Sequence, residues 1–140
     1  MALKKEGLIM QDILNATHVR KNWGSFIDNV VRFKPSVIKR NRDLMAAISL
    51  EQLDMILDPY RFTLTYEKEN NNSLTGHFKE LDLVANAPDL NSLLTTMIQE
   101  LIEYAEEYMK DFEQYYNSLN RKQHFPYVMR VMKSKGRGRD

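Results

Sequence analysis

The chain contains no cysteine, no long apolar run and no pair of histidines at metal-binding spacing, and each shortage removes a class of function. Without cysteine there are no disulfides and no thiolate metal ligands, a composition compatible with a reducing cytoplasm. No stretch approaches the ~20 apolar residues that a membrane span needs. The opening MALKKEGLIMQDIL has neither the continuous apolar core nor the small-residue cleavage site of a secretory signal, so a cytoplasmic protein with no membrane role is expected. Glycine is scarce, at five residues, and two of these lie in the closing KGRGRD, which leaves no supply for a glycine-rich phosphate loop. His18, His77 and His124 are far apart and lack HExxH spacing, so no metal and no cofactor are expected. Neighbouring acids such as Glu106 and Glu107 fall on a solvated helix face, whereas catalytic carboxylates must converge on a pocket. No nucleophile is set beside a base. A hydrolase is argued against, and a non-enzyme is the expectation.

What is present is an uneven charge distribution. The 140 residues, enough for one ordinary domain or two small ones, carry a net charge of only +1. Residues 1–61 hold ten Lys/Arg against seven Asp/Glu, residues 62–116 three against eleven, and residues 117–140 seven against one. A basic surface for nucleic acid followed by an acidic face is one reading of this order, and three solvated faces are the plain alternative. The basic excess is densest from Thr17 to Arg42, where Arg20, Lys21, Arg32, Lys34, Lys39, Arg40 and Arg42 meet a single acid, Asp28.

The patterning predicts an α+β chain in two parts. Residues 1–7 read as a disordered lead and Leu8 to Leu14 as a short strand. Asn15 or Thr17 caps a helix carrying Val19, Trp23, Phe26, Ile27, Val30 and Val31, which ends before Pro35. Ser36 to Arg40 and Leu44 to Ile48 form a hairpin across Asn41-Arg42-Asp43. Ser49 and Gln52 form a capping box for a helix that stops at Asp58-Pro59, the expected domain boundary. Beyond it come strands over Arg61–Tyr66, Leu74–Phe78 and Leu81–Ala85, with an Asn70–Ser73 turn. A long amphipathic helix follows from Pro88-Asp89, its apolar stripe running from Leu90 to Tyr115. Asn117 to Gln123 reads as a linker, Phe125-Pro126 opens a last short helix, and Ser134 to Asp140 is expected to be disordered. The expected divisions are 1–58, 60–133 and a basic tail at 134–140.

Two stretches resemble known families. Asn15-Ala16-Thr17, Val19-Arg20-Lys21-Asn22 and Phe26-Ile27, with Trp23 in the large apolar position, resemble the opening of the Phd/YefM antitoxin domain. Pro35-Ser36-Val37-Ile38-Lys39-Arg40 and Met45-Ala46-Ala47-Ile48-Ser49-Leu50-Glu51 resemble that family's strand and its return into a helix. The chain departs from the family in its turn, Asn41-Arg42-Asp43, which lacks glycine, and in Met45-Ala46-Ala47, which is less β-branched. The resemblance implies a dimerising domain (helix, short antiparallel strands, helix) that binds operator DNA through Arg20 and Arg40. Residues 60–110 resemble, in the order of their elements, the β-β-β-α lobe of HicB-like antitoxins. The whole chain is similar to the larger Phd-like antitoxins paired with RelE-type toxins. That likeness implies an autorepressor that neutralises a RelE-like ribonuclease toxin by direct binding.

Residue chemistry sorts the candidates. Arg20, Lys21, Lys39, Arg40 and Arg42 are the DNA-binding set, because clustered cations gain by releasing counterions from phosphate and arginine can read guanine edges. Trp23, Phe26, Val30 and Ile38 are the core or dimer-interface set. Tyr108, Phe112, Tyr115, Tyr116, Tyr127 and Met129 are the toxin-binding set, since the aromatic and methionine content of this end exceeds what one helix core needs. The expected partners are operator DNA, a RelE-like toxin and a second copy of the chain, as a homodimer or higher even-numbered oligomer. The rival reading is a protein-interaction module that dimerises and binds no DNA.

Overall fold

The first helix begins at Asn15, whose side-chain oxygen accepts from the Thr17 amide at 2.7 Å and so satisfies a donor of the opening turn. The computed structural model describes residues 13–137. The expected lead at 1–7 and most of the Leu8–Leu14 strand lie outside the described residues. What is described of that strand is β1 (Ile13–Asn15).

The one helix expected across Val19–Val31 is two, α1 (Ala16–Lys21) and α2 (Trp23–Arg32). They are separated by Asn22 at φ −120°, ψ 41°. The Asn22 side-chain amide donates to the His18 carbonyl at 2.9 Å and its backbone N–H bonds the same carbonyl, so this residue ends α1 itself. β2 (Ser36–Arg40) and β3 (Asp43–Ala47) form the hairpin. Arg40 pairs with Asp43 across a two-residue turn in which Asn41 adopts φ 56°, a conformation that asparagine tolerates without glycine's help. β1 pairs with β2 in parallel, with α1 and α2 as the crossover, whereas β2 and β3 are antiparallel. The first sheet, expected as antiparallel strands, is therefore mixed, because a strand preceding the helices joins it. Its core is Val19, Phe26, Val30 and Ile38.

Ser49 and Gln52 form the capping box, with the Gln52 amide donating to Ser49 Oγ at 3.1 Å and the Ser49 amide to Gln52 Oε1 at 3.4 Å. The helix they open is α3 (Leu50–Leu57). The chain divides into two compact units between Ile56 and Leu57.

The second unit is an antiparallel meander of β4 (Leu64–Lys68), β5 (Leu74–Phe78) and β6 (Leu83–Ala87). β4 starts later than the alternation from Arg61 implied. Thr63 is instead used in a loop bond, its amide donating to Glu80 Oε1 at 2.8 Å. Asp89 caps α4 (Leu90–Lys110) by accepting from the Ser92 amide at 2.8 Å. This helix lies over the sheet, with Leu93, Met97, Leu101, Tyr104, Ala105 and Tyr108 turned into the core. Gly76 sits in the middle of β5 because α4 passes so close: a Cβ there would stand 2.9 Å from Leu93 Cδ2. The apolar stripe does not run unbroken to Tyr115. It stops at Asp111 and resumes as α5 (Phe112–Tyr116).

The expected linker at 117–123 is an ordered turn that runs into a 3₁₀ segment, Lys122–His124. Tyr108 Oη donates to the Arg121 carbonyl at 2.7 Å and holds it. α6 (Phe125–Arg137) then packs Val128 and Val131 against α4. The tail expected to be disordered from Ser134 is helical to Arg137, and Ser134 Oγ donates back to the Arg130 carbonyl at 2.9 Å. Residues 138–140 lie outside the described residues.

Candidate functional site

In the first unit Lys39, Arg40 and Arg42 of the DNA-binding set share one end of the sheet, and Arg20 and Lys21 lie on the helix that leaves from that end. Asn15 at the end of β1 pairs with Lys39, so α1 leaves the sheet at the end where Lys39 and Arg40 close β2 and Arg42 forms the turn. α1 packs on β2 through Val19, and Arg20 and Lys21 occupy its last turn. All five side chains are exposed, and among the described residues none of them forms an ion pair. Cations left in water without partners keep their charge available to an anion, and a helix and strand meeting at one sheet end can present them together.

The core or interface set separates into two groups. Phe26, Val30 and Ile38 are buried, while Trp23, stacked on Phe26 at 5.6 Å between ring centroids, remains 57 % exposed. Trp23 therefore lies outside the core of this unit. It shares a face of α2 with Ile27 and Val31, spaced i, i+4 and i+8 and likewise exposed. β3 adds exposed Leu44 and Met45 on the open edge of the sheet. Among the described residues the core of this unit is four buried side chains, and an apolar helix face left in water is what a unit completed by a partner presents.

In the second unit the aromatic series mostly serves its own core. Tyr108 is fully buried, which corrects its placement at a partner surface. It packs edge-on to Tyr104 and Phe112 and stacks on Tyr115, while Phe112 and Tyr116 meet Phe125. Tyr127 packs against Tyr60 and Phe62. Phe112, Tyr115, Tyr116, Tyr127 and Met129 are all half-buried, so any partner would meet only their edges. The rings close the α4–α5–α6 corner, which no one-dimensional pattern distinguishes from a docking face.

His124 and Tyr104 complete that corner. His124 is buried with Nδ1 2.7 Å from Tyr104 Oη. Burial, and then the Arg121 charge, hold its imidazole below the ordinary histidine value. Burial pushes the Tyr104 hydroxyl up to about 12, against the Arg121 guanidinium over its ring. A neutral imidazole hydrogen-bonded to a neutral phenol is a structural pair. The described residues contain no cluster of metal-ligating side chains. Nor is any described helix long and apolar enough to cross a membrane.

Comparison with known proteins places this geometry. Residues 10–138 match the family model PHD_like, described as the antitoxin of RelE/RelB toxin–antitoxin systems. A crystallised protein of Syntrophomonas wolfei subsp. wolfei, described as the antitoxin part of a proposed toxin/antitoxin system, superposes with a TM-score of 0.80 at 35 % identity. The likeness covers 86 % of this chain and 87 % of that one. Comparison with the curated proteins finds no match.

Proposed function

The chain belongs to the PHD-like family of antitoxins of RelE/RelB toxin–antitoxin systems, and on that premise we propose that it works as a Phd/YefM-type dimer with two tasks. Its first unit binds operator DNA and represses its own synthesis. Its second unit, a HicB-like lobe in the order of its strands and helix, binds a RelE-like ribonuclease toxin and blocks it. The protein acts by occupying surfaces in the cytoplasm and carries out no chemistry of its own. The observation that carries the DNA reading is the set of exposed cations: Lys39, Arg40 and Arg42 at one end of the first sheet, and Arg20 and Lys21 on the helix that leaves the sheet there. The exposed Trp23–Ile27–Val31 face supports self-association, and a two-fold dimer would offer two copies of the cationic set to two half-sites.

The test is fluorescence anisotropy of the full chain against its own upstream DNA and a scrambled duplex across a salt series. Preference for the upstream duplex with a steep negative salt slope is expected. Arg20→Ala with Arg40→Ala removes up to two phosphate contacts per protomer, so the slope should flatten by roughly 2–4 in a dimer. Equal, weak binding to both duplexes would leave a dimerising interaction module in place of the repressor.

A further inference from the structure

The cations of the first unit fall into two groups of different chemistry. Arg20 and Lys21 close α1, a helix that contains no acid. The hairpin tip is mixed: Lys39 and Arg40 end β2, Asn41 and Arg42 make the turn, and Asp43 opens β3 opposite Arg40. Every residue from Lys39 to Ala46 is exposed. Among the described residues, no hydrogen bond or ion pair engages the side chains of Arg40, Asn41, Arg42 and Asp43. Asn41 stands at φ 56°, where glycine would sit at no steric cost. Asparagine in a turn commonly bonds nearby backbone, as Asn71 does in accepting from the Ser73 amide at 3.1 Å. Asn41 makes no such bond among the described residues, so its amide group stays open to a ligand. A left-handed residue that is not offset by a local bond points to a use elsewhere.

We infer that this turn is the part of the first unit that reads DNA sequence: Asn41 and Arg42, with Asp43, meet base edges in the major groove, while Arg20, Lys21, Lys39 and Arg40 hold phosphates. The inference rests on the DNA reading above and names the residues that would specify the site. Three features select base edges for the turn. A two-stranded β-ribbon fits the major groove, about 12 Å wide, and the two turn residues are the foremost part of such a ribbon. Their side chains are of the types that pair with bases: an arginine fork matches guanine O6 and N7, and an asparagine amide matches adenine N6 and N7. Asp43 would be repelled by a phosphate, whereas the cytosine amino group offers a carboxylate a donor. Arg20 and Lys21, with no acid in their helix, suit the phosphates that position a protein without specifying sequence.

The test titrates the full chain against its upstream duplex and a scrambled duplex by anisotropy, across a salt series. Asn41→Gly keeps the turn, since glycine adopts a positive φ freely, and Arg42→Lys keeps the charge but loses the planar fork. Each should lower the preference for the upstream duplex roughly 5- to 150-fold per half-site, the range of one bidentate base contact. Their salt slopes and melting temperatures should stay close to the wild type. Arg20→Ala with Lys21→Ala should do the opposite, flattening the slope by roughly 2–4 in a dimer while the preference is kept. Wild-type preference in both turn variants, with the wild type itself discriminating between the duplexes, would overturn the assignment of the turn and leave the DNA reading standing. Loss of preference in the Arg20→Ala, Lys21→Ala variant at an unchanged slope would give the reading to α1 and overturn the inference. Equal binding of both duplexes by the wild-type chain would overturn both.

Discussion

Replacing Trp23 with alanine separates an interface from a core, because the two readings give opposite orders of effect. Trp23 is 57 % exposed in the single chain. A tryptophan side chain offers up to ~250 Å², so ~140 Å² is left for a partner to cover. If a dimer covers half of that in each protomer, ~140 Å² in total at ~25 cal/mol/Å² is worth ~3.5 kcal/mol, or two to three powers of ten in dimer Kd. Within one protomer Trp23 contributes chiefly its stack on Phe26, about 0.5–1.5 kcal/mol. Phe26 itself is 7 % exposed and one of the four buried residues in the described core of the first unit, so Phe26→Ala should cost about 3–5 kcal/mol of folding stability. Trp23→Ala should thus weaken the dimer more than it lowers the melt measured below the dimer Kd, and Phe26→Ala should lower that melt the more. The assay is unusually direct, because Trp23 is the only tryptophan. Its emission should move to the red as the wild type is diluted through the dimer Kd, in step with the mass from sedimentation. An emission maximum independent of concentration, or a Trp23→Ala melt lowered as far as that of Phe26→Ala, would refute the reasoning.

Two further outcomes follow from the second unit. Gly76→Val should destabilise it by about 1–3 kcal/mol in chemical denaturation, because the first added carbon already meets fully buried Leu93 at 2.9 Å. Gly76→Ala should cost less, since alanine also lowers the entropy of the unfolded chain. For His124 the folded value lies below the ordinary 6.5, so the unfolded chain takes up the proton first. Its contribution is complete above pH ~6.5 and is lost as pH falls through the folded value. Melting temperature should therefore drop between pH 7.5 and 5.5, and His124→Gln, which can still hydrogen-bond Tyr104, should flatten that drop. An unchanged slope in the variant would assign the pH response to other groups.

What could be read from the residues alone was whatever depends on neighbours three or four positions apart. The Ser49–Gln52 box, the Asp89 cap, the Asn41 turn and the helical stripe of α4 depend on side chain and backbone close in sequence, and they formed where the pattern put them, apart from the break in the stripe at Asp111. The α+β class and the antitoxin resemblance rested on such local order, and the family match over residues 10–138 agrees with them. The tertiary structure decided what depends on distant partners. It set β1 parallel beside β2, more than twenty residues away, and broke the first helix at Asn22. It turned Tyr108 inward onto Arg121, which converted an apparent linker into an ordered corner. It also divided residues of like type into different roles, with Phe26 buried and Trp23 exposed on one helix, and Leu101 walling a groove that Ile98 opens. A one-dimensional pattern marks a side chain as apolar. Only the packing of elements far apart in the chain determines whether that side chain is covered by its own fold or left for a partner.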